Sequence, residues 1–434
     1  MRSGPEASRP SRIRLLMMGG VSRILLGSLV GQGAILLVSP FLTRLYSPAD
    51  FGALAVVTAI SAVLGNVVTL SWERAIVLPE DDNRAKDIVL LGVISVSFLV
   101  SALALVAYLT QETLSHLFDS EVFLIYWWLV PVTVGALGFY TIASSWLVRR
   151  QEYPSLAIRN AVQGVSQASS SIILGLSGVG SLGLISSVAV GRIAALVGMV
   201  RFQKMPSSRR RELKVAALRY KRFPLVNMWS RVLNSLGLQL PVILIVALYG
   251  SVEAGLYALT LRVLAAPVGI VADAVSQYFE GSFASQNREG GLGLRHMLST
   301  FAFRLLAVAA LPAVTVAVAG PLLFQLVFGA EWATAGFYAQ LLVISYFAQF
   351  VVSPISRALV ILEYQGTQLA WDASRLAATS AAVLLSWVAS DNFVVCAVAL
   401  ASVQTLWYAV LFFLCRSAAI ATERKAKYNR ENGL

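Results

Sequence analysis

The sequence predicts an all-α integral membrane protein, and three observations lead to that fold class. Hydrophobic residues make up 57% of the 434 residues and charged residues only 13%, whereas a typical soluble domain carries about 25% charged residues. The mean hydropathy is +0.74. Apolar stretches of about 20 residues, the length that crosses a hydrocarbon layer as a helix, recur along the whole chain. We therefore expect the helices to be surrounded by lipid.

Twelve apolar stretches are long enough to cross the membrane. The first follows a basic tail but is too long for the apolar region of a signal peptide, so we interpret it as the first span. The spans are predicted at 21–43, 52–72, 87–109, 122–147, 158–177, 180–200, 224–249, 253–279, 298–328, 333–361, 368–389 and 393–415.

The basic residues alternate between the two sides of the membrane. Loops after odd-numbered spans hold only Arg44, whereas loops after even-numbered spans and both tails hold nearly all other arginines and lysines. This alternation follows the positive-inside rule and places both termini in the cytoplasm. The net charge of +12 is then a consequence of topology, and no nucleic-acid partner is expected.

The long basic segment 201–223 divides the spans six and six. This predicts an N-terminal lobe at 21–200 and a C-terminal lobe at 224–415, flanked by cytoplasmic tails at 1–20 and 416–434. The two cysteines, Cys396 and Cys415, lie in one apolar segment, and His116 and His296 are far apart. No disulfide framework, metal site or cofactor is therefore predicted.

An internal repeat supports two related halves. LYSPADFGALAVVTAI at 45–60 aligns with LYGSVEAGLYALTLRV at 248–263, an offset of 203 residues. In each copy an acid precedes an apolar run, where it can cap the helix, and a glycine two residues later lets a hairpin close tightly. The alternative explanation of this match is that the chain uses the same type of turn twice by chance. The matched pairs are Leu45/Leu248, Tyr46/Tyr249, Asp50/Glu253, Gly52/Gly255 and Ala55/Ala258.

The motifs TRLYSPADFG at 43–52 and ERAIVLPEDDNRA at 73–85 resemble the polysaccharide flippases of the MATE-like multidrug/oligosaccharidyl-lipid/polysaccharide exporter superfamily. They look most like the bacterial O-antigen and exopolysaccharide repeat-unit flippases. That family often has a basic residue before the aromatic–Glu pair, where this chain has Ser71. The resemblance implies two pseudo-symmetric six-helix lobes around a central cavity, in the bacterial inner membrane. The implied partners are a lipid-linked oligosaccharide, membrane lipids, a coupling ion (H+ or Na+), and a polymerase with other assembly proteins.

Polar side chains recur at helical spacing on several predicted spans. Ser28 and Gln32 share a face of the first span, and Ser28 falls on Arg231 of the seventh span at the repeat offset. Any single stripe can equally serve helix packing, but stripes on several equivalent helices favour a shared aqueous cavity that binds sugar hydroxyls. The candidate cavity residues are Ser28, Gln32, Gln163, Gln167, Asn227, Asn234, Ser345 and Gln349.

Arginines within or near the spans are the candidates for binding pyrophosphate. A central arginine costs about 2.5–3.5 kcal/mol to insert, so it needs a cavity or a partner. One guanidinium group can donate two parallel hydrogen bonds to phosphate oxygens, and it keeps its charge when partly desolvated. Two of the candidates, Arg304 and Arg357, lie near helix ends and can instead reach the headgroups. The full set is Arg192, Arg231, Arg262, Arg304 and Arg357.

Two acids are candidates for ion coupling. Asp273 falls inside a predicted span, where a carboxylate could titrate during transport. Asp372 lies three residues before Arg375, so a local ion pair is the alternative interpretation of that position.

Taken together, these features predict a carrier and not an enzyme. We expect it to translocate undecaprenyl-pyrophosphate-linked oligosaccharide repeat units from the cytoplasmic to the outer leaflet. A drug or cation antiporter of the same fold is one alternative. Such a carrier would be expected to have an acidic cavity, whereas the charged candidates here are mostly arginines. A membrane glycosyltransferase or polymerase is another, although no catalytic spacing is evident. The absence of a G-x-x-x-x-G-K-[ST] motif argues against an ATP-driven pump.

Overall fold

The computed structural model describes residues 12–117, 122–200, 210–288 and 290–431, and the regular elements in these ranges are all helical. A π-helical segment, Phe223–Asn227, precedes α10, and a 3-10 turn, Ala330–Trp332, precedes α12. The first eight helices are α1 (Arg12–Leu45), α2 (Pro48–Val68), α3 (Trp72–Ala75), α4 (Asp82–Leu117), α5 (Val122–Ile125), α6 (Leu129–Arg149), α7 (Tyr153–Leu176) and α8 (Ser181–Val200). The others are α9 (Arg210–Arg219), α10 (Met228–Arg288), α11 (Leu294–Phe328), α12 (Ala333–Ile355), α13 (Arg357–Ile361), α14 (Gln365–Ala389) and α15 (Phe393–Glu431).

Each predicted span overlaps a helix, and nine helical segments of the described residues are long and apolar enough to cross a membrane. The predicted spans at 158–177 and 368–389 correspond to α7 and α14, whose polar side chains lower their hydropathy. At 24 and 25 residues, these helices still reach about 36 Å, longer than the ~30 Å hydrocarbon layer. The seventh and eighth spans run together in α10, which breaks at Gly250. The all-α membrane fold is confirmed, and the count of twelve stays a prediction.

The helix surfaces are those of a membrane protein. Large hydrophobic side chains such as Leu37 on α1 and Leu311 and Val318 on α11 are exposed. Exposed apolar surface on this scale is unfavourable in water and is covered by lipid in a bilayer. Helices also satisfy their own backbone hydrogen bonds, which a segment in lipid requires. The chain is therefore a multi-pass membrane protein.

The first compact unit comprises the described parts of Met1–Val38, Ser61–Thr110 and Trp127–Val232. Its helices approach each other at glycines. A Cβ on Gly164 of α7 would overlap the backbone of Gly31 on α1. Close backbone approach of this kind is how small residues join helices in membranes.

The second unit comprises Ser39–Ile60 and the described parts of Gln111–Tyr126 and Leu233–Leu434. Its hydrophobic core includes Phe279 and Phe283, whose rings stack with centroids 5.0 Å apart. Residues 39–60 and the described residues of 111–126 thus group with the C-terminal helices. The two continuous six-helix lobes expected from the sequence stay a prediction.

Within the second unit, the two copies of the repeat contact each other. A Cβ on Gly52 would overlap the carbonyl oxygen of Ser251, and a Cβ on Gly255 would overlap the carbonyl oxygen of Pro48. The same Cβ on Gly255 would lie 2.9 Å from the backbone nitrogen of Gly52. The starts of the two repeat helices are therefore in backbone contact, which only residues without a Cβ allow.

The acids of the repeat have different partners. Asp50 Oδ2 accepts hydrogen bonds from the Ser47 backbone N–H at 2.9 Å and from its hydroxyl at 2.8 Å, which completes a capping box at the start of α2. Burial, together with the Asp50 carboxylate, raises the pKa of nearby Tyr46 to about 12, so its phenol keeps its proton. In the second copy, Glu253 accepts a hydrogen bond from the Tyr338 hydroxyl.

Candidate functional site

The segment between α2 and α3 is held in a strained conformation. Leu70 and Ser71 both have positive φ, 48° and 58°, where an L residue pays roughly 1–2 kcal/mol. Immediately after them, the Trp72 indole of α3 donates to the Ser95 hydroxyl at 3.1 Å. Non-glycine residues in this region persist only where surrounding contacts impose it, often at functional sites. The strained turn presents the next residue, Glu73.

Arg149 at the end of α6 anchors the chain that follows α3. Its guanidinium pairs with Asp82 at 2.9 Å. It also donates to the backbone carbonyls of Ile76 at 3.2 Å and Pro79 at 2.6 Å. The motif at 73–85 is thus held against α6 by one charged side chain with several partners.

A second irregular element faces this turn. The π-helical segment Phe223–Asn227 contacts α3 and leads into α10. Single π-helical turns are rare and frequently mark functional sites. The side-chain oxygens of Asn227 and of Ser71 are buried and have no hydrogen-bond partner among the residues that the structure describes. Two irregular backbone segments therefore meet around polar atoms that have unused bonding capacity.

Arg231, one turn into α10, forms an ion pair with Glu73. The Glu73 side chain is 6% exposed and that of Arg231 is 26% exposed. Glu73 was not among the predicted site residues, although it lies in the motif at 73–85. Nothing in the sequence pattern joins these two residues, because the pairing depends on how the α3 turn packs against the start of α10.

Arg262, also on α10, lies in the second unit and is half-buried. Its Nη1 donates to the Ser39 hydroxyl at 3.4 Å, and its Cζ lies 5.7 Å from the centroid of the Phe51 ring. Phe51 packs edge-to-face on Trp332, whose indole donates to the Thr43 carbonyl at 3.0 Å. No carboxylate forms an ion pair with Arg262 among the side chains that the structure describes.

The other predicted arginines have different environments. Arg192 on α8 is half-buried, and its Nη1 has no hydrogen-bond partner among the described residues. Arg304 on α11 and Arg357 at the start of α13 are exposed. Their positions agree with a role at the membrane surface at least as well as with cargo binding.

The structure brings some of the predicted polar residues together. Ser28 on α1 accepts from Asn160 Nδ2 at 2.8 Å, and Gln163 on α7 accepts from the Tyr140 hydroxyl at 2.8 Å. Ser345 is fully buried and donates to its own helix at Leu342, as the packing interpretation expects. Of the remaining candidates, Gln32 and Asn234 are exposed, and Gln167, Asn227 and Gln349 are half-buried.

The predicted acids are Asp273 and Asp372. The side chain of Asp273 lies outside the described part of the structure. Asp372 is exposed and accepts from Gln368 at 3.3 Å. The local Asp372–Arg375 ion pair that the spacing allows is not formed in the described structure, because Arg375 lies over the Trp371 ring with its Cζ 5.2 Å from the centroid.

Comparisons with known proteins agree with this architecture. The succinoglycan biosynthesis transport protein ExoT of Rhizobium meliloti (strain 1021) is 25% identical over 355 residues, which covers 79% of this chain and 69% of ExoT. Among solved structures, the lipid II flippase MurJ in an inward closed conformation superposes with a TM-score of 0.69 at 11% identity, covering 95% of this chain and 91% of MurJ.

A multidrug resistance MATE family transporter in an inward-facing conformation superposes with a TM-score of 0.59 at 13% identity, covering 93% of this chain and 95% of the transporter. At such low identities, the structural matches show the fold. The sequence profile of the polysaccharide biosynthesis protein family matches residues 41–336. The chain therefore belongs to the polysaccharide biosynthesis protein family.

Proposed function

We propose that the chain translocates undecaprenyl-pyrophosphate-linked oligosaccharide repeat units from the cytoplasmic to the outer leaflet by alternating access. The observation that carries this proposal is Arg262, a half-buried arginine on a membrane-spanning helix whose described contacts are the neutral Ser39 hydroxyl and the Phe51 ring. A charge in such a place is energetically costly unless it has a partner, and such residues usually serve a function. A pyrophosphate supplies that partner during transport.

The chemistry of the cargo fits the side chains that are available. A guanidinium offers a planar set of donors to phosphate oxygens and stays charged at any physiological pH. Neutral amides and hydroxyls, such as those of Gln163, Asn160 and Ser28, pair with sugar hydroxyls. Because both kinds of side chain occur on membrane helices, the proposal accounts for a cargo with an anionic end and a carbohydrate end.

The names of similar proteins point the same way. ExoT is named for transport in succinoglycan biosynthesis, and MurJ is a flippase of lipid II. A drug or cation antiporter is the second candidate, since a MATE transporter shares the fold. The half-buried cations Arg192 and Arg262 favour an anionic cargo over a cationic drug, because like charges repel in a medium of low dielectric constant.

Coupling and location complete the proposal. We place the chain in the bacterial inner membrane with both termini in the cytoplasm, on the distribution of its basic residues. Asp273 remains the proposed coupling residue for H+ or Na+, with exposed Asp372 as the alternative. Its cargo would be delivered to a polymerase and other assembly proteins, and the chain itself would catalyse no covalent step.

The decisive experiment combines deletion with matched arginine variants. Without the gene, lipid-linked repeat units should accumulate on the cytoplasmic leaflet and surface polysaccharide should disappear. Wild-type protein and Arg288→Ala, an exposed control at the end of α10, should restore export. Arg262→Ala should lower export at least about tenfold at equal protein level, because a charge-assisted contact contributes roughly 1.5–3 kcal/mol, and Arg262→Lys should restore part of it.

Two outcomes would contradict the proposal. Normal surface polysaccharide in the deletion strain would remove the protein from that pathway. Wild-type export by Arg262→Ala would remove Arg262 from cargo binding. Efflux of cationic dyes that depends on the protein, with no effect on polysaccharide, would favour the antiporter.

A further inference from the structure

A polar cluster lies inside the first unit, where α1, α6, α7 and α8 meet. The helices around it are locked by backbone contacts. A Cβ on Gly27 of α1 would overlap the backbone of Ala157 on α7, and a Cβ on Gly191 of α8 would lie 2.6 Å from the Gln163 carbonyl oxygen. The side chains between these helices are therefore held by close packing.

Tyr140 of α6 lies at the centre of the cluster. Its hydroxyl donates to Gln163 Oε1 at 2.8 Å and lies 3.3 Å from Asn160 Oδ1. Asn160 in turn donates to Ser28 at 2.8 Å. The guanidinium carbon of Arg159 lies 4.6 Å from the centroid of the Tyr140 ring. The neutral members of the cluster thus hold one another in position around an aromatic ring.

Two positive charges converge on Tyr140 without an acid. Arg159 and Arg192 both interact electrostatically with the Tyr140 hydroxyl. Arg159 donates its Nε to Asn160 Oδ1 at 3.0 Å, and Nη1 of Arg192 is buried with no hydrogen-bond partner. Among the described residues, no carboxylate forms an ion pair with Arg159 or Arg192.

The position of Arg159 changes its interpretation. On sequence alone it lies at the cytoplasmic start of the fifth predicted span, among the basic residues that set the orientation of the chain. In the structure it lies in the second turn of α7, half-buried against Tyr140. An arginine that only marks topology would be solvated or lie at the headgroups. Two half-buried guanidinium groups, one over the Tyr140 ring and the other close enough for its charge to act on the same residue, instead form an arrangement that an anion would neutralise.

We propose that Arg159, Arg192 and the Tyr140 hydroxyl bind a compact oxyanion of the cargo headgroup. The inference rests on the proposed function, because it takes the cargo to be an anionic glycolipid. A phosphate group of the lipid carrier and a carboxylate of an acidic sugar share the required chemistry. Both offer oxygens that accept paired hydrogen bonds from guanidinium groups. The neutral amides of Asn160 and Gln163 would then lie beside the bound anion. There they can accept hydrogen bonds from sugar hydroxyls or donate hydrogen bonds to them.

The test measures anion binding by the full-length protein in lipid nanodiscs, with inorganic pyrophosphate and glucuronate as the two probes at equal ionic strength. Isothermal titration should show binding of at least one probe to wild type. Arg159→Gln and Arg192→Gln should each weaken it about tenfold or more. Tyr140→Phe keeps the ring under Arg159 and should weaken binding several-fold. Stronger pyrophosphate binding assigns the site to the carrier phosphate, and stronger glucuronate binding assigns it to an acidic sugar.

The controls separate this site from Arg262. All titrations are also run in an Arg262→Gln background, so that pyrophosphate bound by Arg262 does not contribute to the signal. Arg288→Gln, an exposed arginine at the end of α10, should leave cluster binding intact, and each variant should elute as a single folded species. Wild-type affinity in the Arg159→Gln/Arg192→Gln double variant, or no binding of either probe by wild type, would overturn the inference. If Arg262→Ala exports normally while the cluster variants lose anion binding, the role proposed for Arg262 fails and the cluster stands.

Discussion

Arg231 on α10 forms an ion pair with Glu73 on the short helix α3, two residues that stand in separate predicted halves of the chain. The pair lies where a strained turn meets a π-helical segment. The family resemblance leads one to expect a basic residue just before the aromatic–Glu pair, at the position of Ser71. In this structure the cation beside Glu73 comes from α10 instead.

Breaking this pair should cost stability. Glu73→Gln leaves Arg231 without its anion, and we expect the free energy of unfolding to fall by about 1–3 kcal/mol. This is below the ~3–5 kcal/mol of a fully buried pair, because Arg231 keeps some contact with solvent. Thermal unfolding of Glu73→Gln, Arg231→Gln and the double variant gives a double-mutant cycle. We expect a coupling of at least about 1 kcal/mol, and additive effects would show that the contact contributes nothing.

The contact between the two repeats predicts a strong asymmetry among glycines. Gly52→Ala places a Cβ against the Ser251 carbonyl and should destabilise the protein by about 1–3 kcal/mol or abolish its expression. Gly33→Ala is the matched control, because a Cβ there meets no atom within 4 Å. It should be neutral or slightly stabilising. Equal melting temperatures for both variants would argue against the close approach.

Removing the capping box at the start of α2 should lower stability by less than the Gly52 substitution does. Ser47→Ala removes the hydroxyl that Asp50 accepts from and should lower stability by about 1 kcal/mol. Ser101→Ala serves as the control, since Ser101 is exposed and bonds only to its own helix at Ser97. If Ser101→Ala lowers the melting temperature as much as Ser47→Ala does, the predicted contribution of the capping box is wrong.

The positive φ of Ser71 predicts that one substitution will raise stability and lower transport. Ser71→Gly relieves the backbone strain and should raise the free energy of unfolding by up to about 1 kcal/mol. Ser71→Ala keeps the Cβ and isolates the loss of the buried hydroxyl. If the strain positions Glu73 for function, Ser71→Gly should export less while melting higher. Higher stability with unchanged export would make the strain incidental.

Much of the fold follows from local sequence. Every predicted span overlaps a helix, and the predicted breaks near Gly250 and between α8 and α10 recur in the structure. The repeat was visible as LYSPADFG and LYGSVEAG, and its first acid caps a helix as expected. These features depend on residues close together in the chain, so hydropathy, charge and capping patterns are enough to predict them.

The candidate site was predictable only in part. The sequence identified Arg192, Arg231 and Arg262 as charges that need explaining, but it could not supply the Glu73 partner of Arg231. It counted Arg159, at the start of the fifth predicted span, only among the basic residues of the cytoplasmic side, whereas the structure places it beside Tyr140. Each of these relations joins helices that are remote in sequence, and no periodicity records such a pairing.

By itself, then, the sequence determined that this is a helical membrane protein, where its helices run and which cations lie among them. The free energy of placing a helix in lipid is a sum over that helix's own residues, so the order of residues is sufficient to predict it. Tertiary structure alone decided that Gly52 meets the second repeat, that Glu73 neutralises Arg231, and that Arg159 joins Arg192 at Tyr140. Those outcomes depend on how closely packed helices bring side chains together, because charge and hydrogen-bond energies depend on the distance between groups and not on their separation in sequence.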